Sequence, residues 1–547
     1  MRMTPLSIVL WSLITAATVL TDITQPRLNA ADATRVTFKE VSLGEMPRRT
    51  LRDSLVISPD FRHAASIHIA DDKAAVLRDG VSSPRYDDVG LQSLAFSSDG
   101  LRFGFVARRG DNWMTVVDGV EGKRHAAELG GNLLFSPDGK RVLFVLHRQQ
   151  GDLVVVDDVA GPVYDGIGSG SITFSSDSKR LAYVAVRNRK QFVVVDGVEQ
   201  PEFDGIDGTK ILFSNDNKRF AYVGTRDDSQ LVVLDGVEGP SFDEVLADGI
   251  GFSTDSRRFS YGAIRGDQQV VVIDSNVGKE YDEVGLIQFS PSGKRFVHAA
   301  RSDGNSFVVV DGKEMGPFDG LGADGFSFSS DGDKFAFVVR RGEKWATIID
   351  GRESKAWDMV GGPGVRFSPD GKRHIYVAIL GEKAFAVIDG NETPPSDGML
   401  MLLTPFSPDS QRVAYLLARD EQAILNIDNQ ESGGHDNFFQ KAPIFSPDSK
   451  RFAIAAQKGK SWLAHVDGVA GKPYDRIGIP TFSPDSKSVA YGALRGKDCY
   501  VVVDDTVLGS YTDFLSDPQV TFDSNSTLHF LVTRRTEILR VEVTIQR

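Results

Sequence analysis

Aspartate is the residue type whose repeated spacing most directly suggests chemistry in this sequence. It follows an aromatic or aliphatic lead residue by three positions in eleven of thirteen places, as at Asp60, Asp99 and Asp138, and it begins a second turn in twelve. Such a series could form a calcium-binding rim. Calcium loops, however, place several oxygens within a few residues, as in Asp-x-Asp-x-Asp-Gly, and the sequence contains no such stretch. We therefore expect these aspartates to cap turns through backbone hydrogen bonds.

Two Arg-Gly-Asp tripeptides, which begin at Arg109 and Arg265, have the sequence that some adhesion receptors bind. Both lie between two strand-like runs, and neighbouring repeats have Arg-Gly-Glu or Arg-Gly-Lys at the same place. Glycine is a common turn residue in such a loop. We therefore interpret both tripeptides as turns.

Residue types that carry catalysis show no recognisable arrangement. The nine histidines are scattered without metal-ligand spacing such as His-Glu-x-x-His, and His298 stands where other repeats have Tyr or Phe, so we expect it to pack inside the fold. The sequence has neither a Gly-x-Ser-x-Gly nucleophile elbow nor a phosphate-binding loop. The single cysteine, Cys499, lies in a strand-like run and is expected to be a small buried residue. We predict no catalytic residue, no metal site and no cofactor.

Composition and charge limit the class of protein. Of 547 residues, 41% are hydrophobic and 25% are charged, as in an ordinary folded protein. The 62 Lys and Arg residues are outnumbered by 75 Asp and Glu residues, which gives a net charge of −13. Proteins that neutralise phosphates usually have the opposite balance, so nucleic acid is not an expected partner.

The amino terminus has the pattern of an export signal. Arg2 supplies a positive charge, residues 6–20 form an apolar run, and Ala31 and Ala33 give a small-x-small cleavage site. Fifteen apolar residues are few for a membrane-spanning helix, although an uncleaved anchor is the alternative. We predict a signal peptide over residues 1–33, a periplasmic or secreted mature protein, and no transmembrane segment after cleavage.

A repeat of about 39 residues governs the rest of the chain. Its lead residues are Ile57, Phe96, Phe135, Phe174, Phe213, Phe252, Phe289, Phe328, Phe367, Phe406, Phe445, Phe482 and Phe522. Each unit contains strand-like runs separated by Pro-Asp-Gly or Asp-Gly turns, with no helical pattern between them. Four short antiparallel strands per unit are typical of one propeller blade.

The motif Phe-Ser-Pro-Asp-Gly-Lys-Arg at 135–141 and 367–373, followed by an aromatic residue such as Tyr183, Tyr222, Tyr376 or Tyr415, resembles the TolB-type, WD40-like β-propeller repeat. The resemblance covers roughly residues 50–545. It implies a propeller but no particular function, because such blades occur in the periplasmic Tol–Pal propeller, in peptidases, in a lyase and in many surface proteins.

Thirteen blades exceed the usual four to eight of one ring. We therefore predict an all-β fold of tandem β-propellers, with about six blades in residues 34–284 and about seven in residues 285–547. The last repeat shows only three strands. Residues 35–41 have no partner of their own and could supply its fourth strand, which would close the ring without an exposed edge.

One link between repeats differs most from the others. Most repeats have small or polar residues before the lead phenylalanine, but here large apolar residues replace them in two successive links. They are Leu400, Met401, Leu402 and Leu403 before Phe406, and Phe438 and Phe439 before Phe445. A contiguous apolar patch would be a ligand- or partner-binding site. The alternative is packing within the protein.

These observations predict an exported, non-catalytic propeller scaffold. Its partner would be an envelope or extracellular protein, or a glycan. An extracytoplasmic propeller enzyme, such as a polysaccharide lyase, is the alternative from a different class. A metal-dependent lyase could assemble its site from distant blades, and spacing in the sequence would not reveal such a site.

Overall fold

The computed structural model describes residues 35–46, 53–126, 129–168, 170–208, 211–246, 249–323, 325–400, 402, 404–438, 445–515 and 520–546. The side chains of residues 129–131, 362, 363 and 400 are outside this description, as is the predicted signal peptide. The regular elements in these ranges are β-strands. Within the same ranges, no helix is both long enough and apolar enough to span a membrane.

In the described ranges, sixty strands form thirteen antiparallel sheets, which we number as blades 1–13 along the chain. The first strands, continuous or in two pieces, are Val56–Ile57; Asp88–Val89 and Ala95–Phe96; Leu129–Phe135; Gly166–Ile167 and Thr173–Phe174; Gly205–Ile206 and Leu212–Phe213; Glu244–Val245 and Gly251–Phe252; Glu283–Phe289; Gly320–Leu321 and Ser327–Phe328; Met359–Phe367; Gly398–Leu400; Asn437–Phe438; Arg476–Ile477 and Thr481–Phe482; Asp513–Phe514 and Thr521–Phe522. The second strands are Ala64–Ala70, Phe103–Arg109, Val142–Arg148, Leu181–Arg187, Phe220–Arg226, Phe259–Arg265, Phe296–Ser302, Phe335–Arg341, His374–Leu380, Ala414–Arg419, Ala453–Lys458, Val489–Arg495 and Thr527–Arg534.

The third strands are Lys73–Arg78, Asn112–Val117, Gly151–Val156, Lys190–Val195, Ser229–Leu234, Gln268–Ile273, Asn305–Val310, Lys344–Ile349, Lys383–Ile388, Gln422–Ile427, Ser461–Val466, Asp498–Val503 and Glu537–Gln546. The fourth strands are Val81–Ser82; Val120–Glu121 and His125–Ala126; Val159–Ala160; Val198–Glu199; Val237–Phe242; Asn276–Tyr281; Lys313–Phe318; Arg352–Glu353; Asn391–Glu392; Gln430–Glu431; Val469–Ala470; Thr506–Tyr511; and, in blade 13, Arg35–Glu45. The predicted all-β architecture of four-stranded blades is confirmed.

Both sets of turn aspartates have the capping role that the sequence predicts. In blade 3, Ser136 Oγ donates to Asp138 over 2.7 Å, and the same carboxylate accepts the Lys140 backbone N–H. The second aspartate, Asp157, accepts the Val142 N–H at 2.9 Å. In blade 4 the turn residues Asp196 and Gly197 have φ angles of 52° and 82°, as a two-residue hairpin turn of type I′ requires.

An arginine near the start of the second strand ties each of many blades to the next. Arg102 Nε pairs with Asp118 at 2.9 Å within blade 2. Its Nη1 donates to the backbone carbonyls of Gly139 and Lys140 in blade 3, and its guanidinium lies 5.5 Å from the ring centroid of Phe135. This arginine also accounts for the lead phenylalanine, whose ring it covers.

Apolar contacts pack successive blades against each other. The aromatic residue at the end of a fourth strand, or just after it, meets the aromatic residue of the next second strand edge to face. Examples are Phe203–Tyr222 at 6.1 Å and Tyr511–Phe530 at 6.0 Å between ring centroids. Because blades cover one another on both faces, the leading five residues of strands such as Leu181–Arg187 are all buried.

The two ends of the chain close the fold, as predicted. Arg35–Glu45 pairs antiparallel with Glu537–Gln546 and becomes the outermost strand of blade 13. Its Glu40 accepts two hydrogen bonds from Arg534 and one from the Tyr511 hydroxyl. Blade 13 then packs on blade 1 through Leu43, Ala64 and Leu531, so the last blade of the chain lies beside the first.

The division into two rings, 34–284 and 285–547, stays a prediction. Its boundary falls inside the strand Glu283–Phe289. Across that boundary, Val271 of blade 6 and Phe296 of blade 7 belong to one apolar cluster.

Candidate functional site

A groove recurs between neighbouring blades. One wall comes from the third and fourth strands of one blade, and the other from the second and third strands of the next. We compare five such grooves, between blades 1 and 2, 2 and 3, 5 and 6, 8 and 9, and 9 and 10. The two beside blade 9 have volumes of about 600 Å³, against about 430–440 Å³ for the other three.

The blade 9–10 groove differs from the others in a buried residue at its base, which we call the floor of the groove. It is lined by Arg373, Asp389, Asn391, Glu392, Gln411, Tyr415, Arg419, Asn426, Asp428, Asn429 and Glu431, among others. In blades 4, 5, 6 and 9, the residue paired with the second-strand tyrosine is a valine. In blade 10 the residue paired with Tyr415 is Asn426. This amide is only 4% exposed.

The asparagine at the floor is held by the adjacent turn. Asn426 Oδ1 accepts the backbone N–H of Asn429 at 3.0 Å. Asn429 has a φ angle of 66° and stands where most repeats have the glycine of Asp-Gly. Since only one oxygen of Asn426 is used in this contact, its amide N–H groups stay available to a molecule in the groove.

A second departure enlarges the same interface. Most blades place an aromatic residue opposite the start of the third strand, as with Phe203 opposite Gln191 and Tyr474 opposite Trp462. Blade 9 has Ser396 opposite Ala384. A serine in the place of an aromatic ring leaves volume unfilled, so the groove reaches Tyr415 and Leu417.

The charged groups of this groove are mostly paired. Arg419 makes a two-pronged contact with Glu431 at 2.8 and 3.1 Å, and Arg373 Nε lies 2.9 Å from Asp389. Burial raises the pKa of Tyr415, and the nearby Glu431 carboxylate adds to the rise. The phenol therefore stays protonated and can donate a hydrogen bond. The groove offers amides, a phenol and neutralised ion pairs, which suit an uncharged, hydroxyl-rich ligand.

The apolar residues predicted to bind a ligand are only partly described. Leu402 and Phe438 are 1% and 4% exposed and share one cluster between blades 10 and 11 with Leu416 and Phe445. These two side chains therefore pack inside the protein. The backbone of Leu400 pairs with Leu416.

The remaining predicted site residues, Met401, Leu403 and Phe439, lie outside the described residues, as does the side chain of Leu400. A binding role stays a prediction for all six residues of the two links. The structure brings Leu402 and Phe438 together, but it does not place them in the blade 9–10 groove.

The other candidate residues have the structural roles expected of them. In the first Arg-Gly-Asp tripeptide, Arg109 pairs with Glu121 and covers the ring of Tyr86, with 4.6 Å from guanidinium to centroid. His298 is buried against Tyr281, and its pKa is lowered by burial. Among the described residues, no three His, Cys, Asp or Glu side chains come together as a metal site requires.

Sequence reasoning missed Asn426, Asn429 and Ser396. The sequence does contain a signal for them. When the repeats are aligned, each of the three occupies a position, or column of the alignment, at which most other repeats have a different residue: a valine, a glycine and an aromatic residue, respectively. The links between repeats do not contain these residues: Asn426 is in a third strand, Asn429 is in the turn after it, and Ser396 follows a fourth strand.

Comparison with known proteins finds no matching family model. No curated protein matches either. The TolB-type resemblance therefore stays a prediction. Similar solved structures include a eukaryotic initiation factor, which is 11% identical, covers 72% of this chain and 96% of its own, and has a TM-score of 0.31.

Two further similar structures come from enzymes. The β-propeller domain of the trilobed protease from Pyrococcus furiosus is 14% identical, with 48% of this chain and 96% of that chain covered and a TM-score of 0.22. The GH74 enzyme of Niastella koreensis is 11% identical, with 93% and 99% covered and a TM-score of 0.23. Similarity at this level carries no argument about activity or ligand.

Proposed function

We propose that this protein is an exported, non-catalytic propeller scaffold that binds an extracellular glycan in the blade 9–10 groove. The observation that carries the proposal is Asn426, a buried amide at a position where most other blades have valine. Burying an amide costs free energy unless a partner satisfies it, and sugar hydroxyls can both donate and accept hydrogen bonds with it.

The binding test uses the residue that the repeat itself supplies. Asn426→Val restores the valine of most other blades, so the fold should tolerate it. We expect neutral oligosaccharides, identified on a glycan array and titrated by calorimetry, to bind the variant at least tenfold more weakly. Asn429→Gly, which also restores the repeat residue, should weaken the same binding because it removes a groove side chain.

A matched control separates the groove from general effects on turns. Asn217 has a φ angle of 60° in the first turn of blade 5, where several repeats have glycine. Asn217→Gly should leave glycan binding unchanged. Equal binding by wild type and the Asn426→Val variant would contradict the groove assignment. Cleavage of the bound glycan would establish the enzyme alternative, and an envelope protein whose capture Asn426→Val abolishes would replace the glycan as partner.

Export is tested separately from binding. The apolar run 6–20 and the Ala31-Asp32-Ala33 site support cleavage after residue 33. Amino-terminal sequencing of the protein recovered from the envelope or medium should therefore begin at Thr34. Recovery of the uncleaved chain in a membrane fraction would contradict this part of the proposal and favour a retained anchor.

A further inference from the structure

The second large groove, between blades 8 and 9, lies beside the first. Its lining includes Gly390, and the lining of the blade 9–10 groove includes Asp389 and Asn391. The single turn 389–391 therefore separates the two grooves. A ligand that extends across this turn would occupy both.

Charge distinguishes the blade 8–9 groove from the other four. Its basic residues Lys334, Arg352 and Lys372 outnumber its acidic residues Asp350 and Glu353. In each of the other four grooves the acidic residues outnumber the basic ones. This reversal stands out in a chain whose net charge is −13.

Lys334 has lost the contact that its column makes elsewhere. Nine other blades have an arginine here, and in blade 9 that arginine, Arg373, pairs with Asp389 at 2.9 Å. In the described chain no carboxylate lies within ion-pair distance of Lys334 Nζ. Its Nζ donates a hydrogen bond to the Lys372 carbonyl oxygen at 3.5 Å. The ammonium group is therefore free to bind an anion.

Three further polar residues line the groove. Arg352 begins the fourth strand of blade 8, at a position where six blades have valine and the neighbouring blades 7 and 9 have Lys313 and Asn391. His374 begins a second strand, where blades 2 and 8 have Phe103 and Phe335. Burial lowers the pKa of His374, so its ring is neutral at pH 7 and one ring nitrogen can donate a hydrogen bond.

The third of these residues is Thr347. It is fully buried, and its Oγ1 has no hydrogen-bond partner within the described chain. Blades 3 and 4 have Val154 and Val193 in this column. The hydroxyl is therefore a further donor that a ligand or water in the groove could satisfy.

We infer that the blade 8–9 groove is an oxyanion subsite, so that the glycan crossing blade 9 carries carboxylate or sulfate groups. This inference rests on the proposed glycan-binding function. Lys334 and Arg352 supply the positive charge, and His374 and Thr347 supply neutral donors. The uncharged sugars of the same ligand would lie over Asn426 in the neighbouring groove.

The test compares three oligosaccharides of one backbone: uronate-containing, carboxyl-reduced and sulfated. We expect Arg352→Val to weaken binding of the acidic forms at least tenfold and to leave the reduced form unaffected. Lys334→Arg restores the repeat residue. The arginine would pair with Asp350, so binding of the acidic forms should become weaker in this variant too. Preference for the uronate or for the sulfated form identifies the oxyanion.

Lys313→Val is the matched control, because Lys313 begins the fourth strand of blade 7 as Arg352 does in blade 8. It removes the same charge and should not change binding. Equal effects of Lys313→Val and Arg352→Val, or equal binding of acidic and reduced forms, would overturn the inference.

The two proposals fail in distinguishable ways. Binding of the carboxyl-reduced glycan that depends on Asn426, with no gain from acidic groups, would leave the scaffold function standing and reject the subsite. Sulfate alone, titrated against the melting temperature, should stabilise wild type but not the Arg352→Val variant. That result without any glycan binding would support the subsite and reject the glycan scaffold.

Discussion

At the scale of single residues, burial determines how Cys499 reacts. The side chain is fully buried between blades 12 and 13, and burial raises the pKa of its thiol to about 12. Since the thiolate is the reactive form, we expect no modification of the native protein by iodoacetamide at pH 8. Mass spectrometry should show one added group per chain only after unfolding in urea. Rapid labelling without urea would contradict this prediction.

The buried His435 and the half-buried His465 should together make the protein sensitive to acid. Their ring centroids lie 4.5 Å apart between blades 10 and 11. Burial, with smaller effects of His435 and Lys458, lowers the pKa of His465 to about 4, whereas histidine ordinarily titrates near 6.5. The unfolded chain therefore binds more protons between these values, so this contribution to stability is present above about pH 6.5 and disappears as pH falls towards about 4.

We expect His465→Val, which restores the valine of other blades, to flatten the fall in unfolding free energy between pH 6.5 and 4. Urea denaturation at a series of pH values measures the slope. The comparison at pH 8, where both histidines are neutral, controls for changes in packing. Parallel curves for wild type and variant would show that His465 does not cause the acid sensitivity.

At this scale the sequence predicts the roles of residues that recur at one position of every repeat. It does not predict the partners of residues that come together only when two blades pack. The turn aspartates and His298 could be assigned because each stands at a position of the repeat whose role is known: capping a turn or packing inside a blade. The arginine that binds the next blade could not, since Arg102 reaches the carbonyls of Gly139 and Lys140 only once two blades are packed. The meaning of Asn426 likewise depends on the groove above it.

At the scale of strands, the terminal strand Arg35–Glu45 holds blade 13 together. Its removal would expose the hydrogen-bonding edge of Glu537–Gln546 and break the contacts of Glu40 with Arg534 and Tyr511. We expect a chain without residues 35–45 to melt at lower temperature and to aggregate. Differential scanning calorimetry and light scattering measure both effects.

Glu40→Gln is the control for that deletion, because it keeps the strand. The Arg534 guanidinium lowers the pKa of Glu40, so the carboxylate contributes stability at neutral pH that is lost as pH falls through its lowered pKa. A partly exposed pair of this kind is worth about 1 kcal/mol or less, so this variant should melt only slightly below wild type. Deletion without any loss of stability would contradict the closure.

The apolar link gives a second prediction for an element. Replacement of Leu400, Met401, Leu402 and Leu403 by Gly-Ser-Gly-Ser removes the buried Leu402 from its cluster. We expect the free energy of unfolding to fall by about 2–5 kcal/mol, as for other large-to-small changes in a core. Chemical denaturation measures the loss. Asn429→Gly, two strands away in the same blade, should not cause it.

Glycan titration of the link variant, under conditions where it is folded, tests the separate prediction that the link binds a partner. Unchanged stability would show that Leu402 does not hold blades 10 and 11 together. The sequence could not distinguish packing from binding here. Large apolar residues at one position of the repeat are expected both for a buried contact and for a partner-binding patch.

At the scale of the whole molecule, the arrangement of blades can be tested by cutting the chain. Blade 6 packs on blade 7 across residue 284, and blade 13 depends on the strand from the amino terminus. Each half, 34–284 or 285–547, would therefore expose two apolar blade faces. We expect both fragments to aggregate when produced alone and to recover solubility when refolded together.

Analytical ultracentrifugation and circular dichroism of the fragments, separately and mixed, give the result. Two monomeric fragments that each melt cooperatively would instead support the predicted pair of rings. The number of blades was readable from the period of the lead residues. Their grouping was not, because every interface uses the same aromatic and valine columns.

The pairing of Arg35–Glu45 with Glu537–Gln546 also has a consequence for how the protein is made. The strand Arg35–Glu45 is synthesised long before its partner, and it stays unpaired until Glu537–Gln546 has been made. Export of an unfolded chain is compatible with such a delay, because folding is completed only after the last strand emerges. The same geometry sets Arg35 directly opposite Gln546. A short peptide could therefore join these two positions, and new chain ends could be opened at another Asp-Gly turn. In such a circular permutant, the blade completed by the two ends of the chain would be a different one.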